Sequence, residues 1–544
     1  MDKTLTLGSL FSGAGTFELA GFECGIEPVW ASEVEPFPIA VTKKHFPNLL
    51  HLGDINKING AAIPHVDIIT GGFCCQDLSL ANGKRQGLLG HRSGLFIQMI
   101  RITREMLAAT DGAFPKALIF ENVEGLLSSS KGQDIKTVMD EISALGFISD
   151  ANVLNAADHG VAQRRRRVFI VAINHKHFNP NYFANAPKST RTKRMEKAMT
   201  AWGGETFYGI ASRPHEPVKQ RLSEILQNDV DDKYYLSQRA CLGILRRAAA
   251  RGKELPDVLR IALETQAGLV PCETAVESEP ICFEGGALSR RGGHHWRNLA
   301  GTLRATPGDN HQSVVYDSRG NGDGHTVCSI VGDHNGRVTD YTALAVEAKA
   351  VTAYGISSYA SQAMLSDNPK AGIYEAETAR TLDCSACNPS QHHGGIAVVE
   401  DIPYTMTCGC YTQVCKDAAP TIMARDFKQG PIVARKHYVA RRLTPQECAL
   451  LMGTELDYCA NLGISEPTED DIAFWTRVFE EHRLILGKSK RHKTRKQIIK
   501  WLQNPHSDSA EYKLWGNSCV RQCLVFLLSG LVDYFEAQKH ILHF

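Results

Sequence analysis

The chain has 544 residues, with 60 Lys+Arg against 59 Asp+Glu, a formal charge of +1, 43% apolar and 22% charged residues. These proportions exclude global disorder and a collagen-like fibre, and a charge near zero confines any phosphate-binding surface to a local patch. The length suggests about three domains, and no run reaches the roughly 18 apolar residues of a membrane span. Leu5–Phe11, Val29–Ser32, Val66–Thr70, Ala117–Phe120 and Val168–Ala172 are short apolar runs bounded by Gly, Asn, Asp or Pro. Each is predicted as a buried strand of a parallel sheet. Asp134–Leu145 places Ile135, Val138, Met139 and Ile142 on one helical face, and the alternation of strand and helix is the α/β pattern. Lys188–Lys197 is basic and polar and reads as a linker or exposed loop. Residues 280–435 are rich in Gly, Thr, Ser, His and Asn. They carry a weak repeat: Ala300–Leu303 before Ser313–Val315, Ala379–Leu382 before Gly395–Val399, and Ala419–Ile422 before Gly430–Val433. Repeated hairpins that present loops are one reading, and coincidental hairpin chemistry is the other. Thr468–Asp471 is a capping-box pattern ahead of a helix with Ile472, Trp475, Val478 and Phe479 on one face. Lys488–Lys500 holds seven Lys and Arg and no acid, either a solvated helix face or a phosphate contact.

Candidate chemistry starts at the first strand's end. Phe11-Ser-Gly-Ala-Gly-Thr-Phe-Glu18 offers Gly13 and Gly15 for a tight turn into a helix whose amides face a ligand. Glu18 breaks the full GxGxxG pattern. Glu33 follows about 20 residues on, where an acid can hydrogen-bond both ribose hydroxyls. Asp54, in Gly53-Asp-Ile55, can accept from an exocyclic adenine amine. An acid in place of a phosphate contact favours a neutral or cationic nucleoside over a dinucleotide. Strand-end solvation is the plain alternative for both acids.

Gly71-Gly-Phe-Cys-Cys-Gln-Asp-Leu-Ser79 lies just past the Val66–Thr70 strand. With its neighbours in order, it resembles the cytosine-5 DNA methyltransferases of bacteria and phages. Cys75-Gln76 matches the family's Pro-Cys-Gln loop, with Cys74 where the family has Pro. Phe11–Gly15 resembles the cofactor loop. Gly90–Phe96 resembles the following stretch, with His91 in place of an acid. Phe120-Glu-Asn-Val123 matches Glu-Asn-Val. Gln163–Val168 matches Gln-x-Arg-x-Arg, with His159 and Ala162 replacing Tyr and Pro nearby. Arg441–Glu447 and Gly516-Asn-Ser518 match the two late motifs. The resemblance covers about residues 4–175, 437–455 and 510–530.

The resemblance implies a Rossmann-like, doubly wound, mostly parallel α/β sheet with a second, irregular β-rich recognition domain. Residues 1–175, completed by 510–544, are expected to bind S-adenosylmethionine and carry the chemistry. Residues 176–436 are the expected target recognition region, and 437–509 a late motif with a helical basic insert. Cys75 is the implied nucleophile. Gln76, Glu121, Asn122, Arg165 and Arg167 are its implied partners. Arg165 and Arg167 share a face if they lie on one strand, and Arg165 is expected to hold Glu121 or the nucleophile loop. Phe11, Gly13, Gly15, Glu33, Val34, Asp54, Ile55, Asn517 and Ser518 are the implied cofactor residues. Ser79, Gln163, Arg164, Arg442 and Thr444 are the implied DNA contacts. Double-stranded DNA is the expected partner, with a monomeric protein, a possible cognate restriction endonuclease, and no membrane. No metal is expected, although Cys384, Cys387, His392, His393, Cys408 and Cys410 have partial zinc-ligand spacing. The start MDKTLTLGSLFSGAG is unlike an export signal, and sixteen cysteines then point to reduced thiols in a bacterial cytosol or phage-infected cell. Two other readings stay open: a tRNA cytosine-5 methyltransferase, against which the long variable segment argues, and a DNA-binding protein with a degenerate catalytic loop.

Overall fold

The computed structural model describes residues 4–73, 94–269 (except 185, 187–189 and 228–229), 351–381, 389, 395–406, 435–487 and 491–541, with the short strands at 281–283, 295–297 and 414–416. The first sheet has seven strands: β1 (Thr6–Leu10), β2 (Glu27–Ser32), β3 (Leu50–His51), β4 (Ile68–Gly72), β5 (Ala117–Val123), β6 (Phe147–Asn155) and β8 (Arg166–Asn174); a two-residue β7 (Gln163–Arg164) lies outside it. Their order is β3-β2-β1-β4-β5-β8-β6. The chain runs outward from β1 to β3, then returns to β1's other side at β4. That reversal leaves a crevice at the carboxyl ends of β1 and β4, where open α/β sheets bind ligands. Alternate residues feed opposite faces. Leu7, Ile68, Ile119 and Val171 enter one core. Leu10, Ile69, Leu118 and Ile170 enter the other. Fully buried central strands explain why they read as continuous apolar runs.

Two expectations change. The run at Val168–Ala172 is not parallel, because β8 pairs antiparallel with both β5 and β6. β6 itself, not singled out from the sequence, is almost wholly buried. It reverses after α4 (Gln133–Ala144), so the chain returns through β8 without a crossover helix. The basic stretch 188–197 is not an open loop from Lys193 on: α6 (Lys193–Trp202) buries Met195 and Met199 in the second core. Asp150 of β6 anchors this segment, accepting from the Ile210 and Ser212 amides and the buried Arg191 guanidinium.

The face opposite α3 (Gly94–Ala109) and α4 is covered by α1 (Thr16–Glu23) and the C-terminal helix Arg521–Ile541. No single helix among the described residues is long and apolar enough to cross a membrane. The bent pair Asp508–Asn517 and Arg521–Lys539 meets that test on composition, but Trp515, Leu524, Leu527, Leu528 and Leu531 are fully buried in the protein core.

A second sheet contains β11 (Val351–Ile356), β12 (Ile373–Glu375), β14 (Gly395–Met406), β15 (Val414–Lys416) and β16 (Arg435–Arg442), all antiparallel. α7 (Gln238–Ala250) and α8 (Asp257–Gln266) cover it, packing Cys241, Ile244, Leu259 and Leu263 against Tyr354, Ile356, Ala397 and Val399. Of the sequence repeat, only Ala379–Thr381 and Gly395–Val399 fall among described residues. They are not a hairpin pair: β13 (Ala379–Arg380) pairs parallel with β7, while 395–399 lies in β14. The predicted capping box is present, with Thr468 and Asp471 exchanging side-chain and backbone bonds. Ile472, Trp475, Val478 and Phe479 pack with Ile39 of α2 (Pro36–His45) and with Ile498 and Leu502. The basic run thus includes a helix, Arg495–Gln503, with an apolar face of its own.

Candidate active site

β1 ends at a loop that only unusual backbone angles can form. Phe11, Gly13 and Gly15 have φ of 60°, 58° and 76°, a left-handed region open mainly to glycine. A side chain at Gly15 would also be crowded, since its Cβ would lie 2.9 Å from the Thr42 methyl. The Gly13 amide donates to Glu33 Oε2 at 3.0 Å, and the Val34 and Glu35 amides donate to Glu33 Oε1 at 2.7 and 3.0 Å. Burial raises the Glu33 carboxyl above its ordinary range, against the lowering effect of these three amides. Asp54 caps the short turn Ile55–Lys57, accepting from the Asn56 amide at 2.9 Å. Ser518 Oγ accepts from the Ala14 amide at 3.3 Å and donates to Leu514 O at 2.8 Å. The 516–518 segment is thereby drawn to the β1 loop from more than 500 residues away.

The second half of the crevice lies at β4 and β5. Gly72 and Glu121 are register partners. A Cβ on Gly72 would sit 3.2 Å from Glu121 Oε2. Asn122 is buried; its Oδ1 accepts from the Val123 amide and its Nδ2 reaches Phe73 O at 3.5 Å. Phe73 packs on Phe96 at 4.9 Å between ring centres. The β4 strand end is therefore rigidly held where residues 74–93 leave it. Cys75, Gln76, Ser79, His91 and the six candidate zinc ligands lie outside the described residues.

The arginines divide their work differently from the shared-face expectation. Arg165 lies between β7 and β8 rather than on a strand, and is 4% exposed. Its guanidinium donates to Ser518 O at 2.7 Å and to Gly516 O at 3.4 Å. Arg167 forms the ion pair with Glu121, at 3.0 Å. Arg166 and Arg194 pair with Glu124, each at 2.9 Å. Cys519 and Cys523 lie in the field of Glu121 and Arg165. Burial raises both thiols, Cys523 to about 12, so they stay protonated and unreactive.

Two implied DNA contacts are engaged inside the protein. Gln163 is fully buried and donates to Leu451 O at 3.0 Å. Thr444 is buried, caps the helix Pro445–Leu451 and donates to Gln227 Oε1 at 2.6 Å. Both side chains are thus closed in by protein partners among the described residues. Arg442 lies over the Tyr234 and Tyr512 rings, at 5.4 and 5.5 Å. Arg164 is exposed, and its carbonyl accepts from Thr381 Oγ1 at 2.9 Å.

Sequence reasoning missed Glu18 as a site residue and noted it only as a break in a glycine pattern. It is fully buried under the β1 loop. The signal for it was an acid set between Phe17 and Ala20 on a helix that must pack against a sheet. Tyr458 was missed as well; its hydroxyl donates to Ala14 O at 2.9 Å.

Sheet order, the glycine loop after β1 and the acid after β2 together define a Rossmann-like methyltransferase fold. The comparisons narrow this: residues 5–264 match the family described as C-5 cytosine-specific DNA methylase. The orphan methyltransferase M.Rho11sI of Bacillus phage rho11s is 30% identical over 239 residues, covering 43% of this chain and 46% of the relative. The type II methyltransferase M.NgoFVII of Neisseria gonorrhoeae is 32% identical over 222 residues, 40% of this chain and 53% of the relative. The type II methyltransferase M.HhaI of Haemophilus parahaemolyticus is 35% identical over 173 residues, 31% and 50% respectively. The chain thus spans about half the length of these relatives.

Proposed function

We propose that the protein is a DNA cytosine-5 methyltransferase that acts on a cytosine flipped out of a specific duplex sequence. The observation that carries this reading is the Glu121–Arg167 ion pair beside Gly72, one strand-width from the root of the Cys75 loop. A base inside a duplex cannot present carbon 6 to a thiol, so flipping is required. The Cys75 thiolate adds at carbon 6, and the ring becomes an enamine nucleophilic at carbon 5. Glu121, oriented by Arg167, holds a proton at ring nitrogen 3 and stabilises the charge that addition creates. S-adenosylmethionine, when bound, supplies an electrophilic methyl group. Loss of the carbon 5 proton then expels the thiol.

The residues present fit that cofactor. Glu33 accepts from three amides on one side and can take ribose hydroxyls on its remaining lone pairs, while Asp54 and Ile55 flank the adenine position. Arg165 acts as a positioning residue that fastens the 516–518 segment over the β1 loop. Residues 176–436 are assigned to sequence choice through base edges in the major groove. Double-stranded DNA is the partner and the protein works as a monomer. Restriction–modification or phage protection is the setting, carried from the names of the type II and phage relatives.

The test is incubation with tritiated S-adenosylmethionine and either duplex DNA or tRNA, followed by sequencing of the product. Label at carbon 5 of duplex cytosines is expected. Label confined to tRNA, or none with intact cofactor binding, would replace this reading with one of its two competitors.

A further inference from the structure

We propose that Glu18 makes this site prefer the sulfonium cofactor to its neutral thioether product. The inference rests on the methyltransferase reading and concerns which charge state of the ligand the site favours. Glu18 stands in the first turn of α1 and is 0% exposed. Its Oε1 accepts from Ser12 Oγ at 2.6 Å and also from Ser9 Oγ. Ser12 lies inside the β1 loop, next to Gly13, whose amide holds Glu33. Two carboxyl groups therefore bracket one loop, Glu18 from beneath and Glu33 from the side.

Among the described residues, Glu18 Oε2 is buried without a hydrogen-bond partner, and the same holds for Thr16 Oγ1 and Thr70 Oγ1. Ser9 and Thr70 are register partners on β1 and β4, so these oxygens gather at the end of the sheet where the crevice opens. The titratable groups that face Glu18 are Glu33, from the end of β2, and Tyr458, whose hydroxyl reaches Ala14 O. Neither is a cation. A scaffold that only needed to brace the loop would serve with a neutral amide here, since both serines donate to a single oxygen. Among the described residues the second oxygen has no counter-charge.

The missing counter-charge is that of the ligand. S-adenosylmethionine carries a sulfonium. Methyl transfer moves the methyl carbon to the base and leaves both electrons of the broken bond on sulfur, so the product is a neutral thioether. The amino-acid end of the ligand is unchanged, so only the sulfonium distinguishes the two in charge. In a dry site a carboxylate within about 10 Å discriminates them by roughly tenfold at an effective dielectric near 20. Burial raises the Glu18 carboxyl, and the neighbouring Glu33 adds to the rise. The empty site therefore holds Glu18 protonated over a widened pH range, and an incoming cation drives the proton off. Cofactor affinity should then climb as pH rises through the free-state titration of Glu18, while product affinity changes less.

The experiment is calorimetry of the full chain with S-adenosylmethionine and with S-adenosylhomocysteine, in two buffers of different ionisation enthalpy. Wild type should bind the cofactor more tightly than the product and release a proton on cofactor binding. Glu18→Gln keeps the acceptor oxygen for Ser9 and Ser12. It should lose about tenfold in cofactor affinity, keep product affinity, and release no proton. Glu18→Asp should keep most of the preference. Equal weakening of both ligands in Glu18→Gln, or an unchanged ratio, would overturn the proposal and leave Glu18 a structural brace. A wild-type protein that binds neither ligand would overturn the methyltransferase reading, and this inference with it.

Discussion

The two sheets are built on different rules. The first half of the first sheet, β1 to β3, is assembled from segments adjacent in sequence: Gly13, Glu33 and Asp54 each follow a strand within the first 54 residues. The second sheet joins strands from far apart, with β11 and β16 both pairing along β14. Local order places ligand groups with little freedom, whereas long-range pairing leaves room for long connecting segments. The two sheets share a core, since Ala353, Ile396 and Val398 pack into the cluster that holds Leu7 and Ile119, and two polar seams among the described residues add to it. β13 pairs with β7 next to Arg165 and Arg167, where the Ala379 amide donates to Ala162 O at 2.7 Å. Arg441 of β16 forms a fully buried pair with Glu447 at 2.8 Å.

The division can be broken most severely on the chemical side. Cys75→Ser is expected to abolish methyl transfer while DNA binding, read by gel shift, stays near normal. Duplexes with 5-fluorocytosine should trap the wild-type protein through Cys75, and an adduct mapped to Cys74 would overturn that assignment. Next comes the buried seam. Arg441→Leu leaves Glu447 charged without its partner, a loss of about 3–5 kcal/mol. A urea midpoint close to wild type would show that the pair does not join the halves.

Glu33→Ala tests the local side alone. Losing a charged hydrogen bond of about 1.5–3 kcal/mol weakens S-adenosylmethionine binding by roughly 10- to 150-fold, and the Gly13, Val34 and Glu35 amides left without their acceptor lower the urea midpoint as well. Unchanged affinity in calorimetry would remove Glu33 from the site. Thr381→Val sharpens the comparison at the strand seam. It deletes the bond to Arg164 O, about 0.5–1.5 kcal/mol, and should lower kcat without changing cofactor affinity. The smallest effect is expected at the basic run. Neutralising Lys493, Lys496 and Lys500 should weaken all DNA sequences alike and flatten the salt dependence by roughly 0.9 for each phosphate no longer neutralised. A change in the methylated sequence would move recognition into the insert.

Much of the first sheet was legible because buried strands must be apolar and end in turn residues. The runs at Leu5–Phe11, Val66–Thr70 and Ala117–Phe120 each overlap a strand of the structure. β6 escaped because Ser149, Asp150 and Asn152 interrupt its apolar pattern; Asp150 and Asn152 are buried yet satisfied by the 190–212 segment. No local rule anticipates such partners.

By itself the sequence determined the class of fold, the spacing of glycines and acids after the first strands, and the order of the motifs, since these depend on neighbours along the chain. Only the tertiary structure decided that Arg167 and not Arg165 pairs with Glu121, and that Gln163 and Thr444 face inward. It alone turned Glu18 from a flaw in a motif into a buried acid. Each outcome depends on which distant segment arrives beside the residue: Ser518 beside Arg165, Leu451 beside Gln163, and Ser9 and Ser12 closing on Glu18. Burial and hydrogen bonding are properties of the assembled neighbourhood, and residue order alone does not contain them.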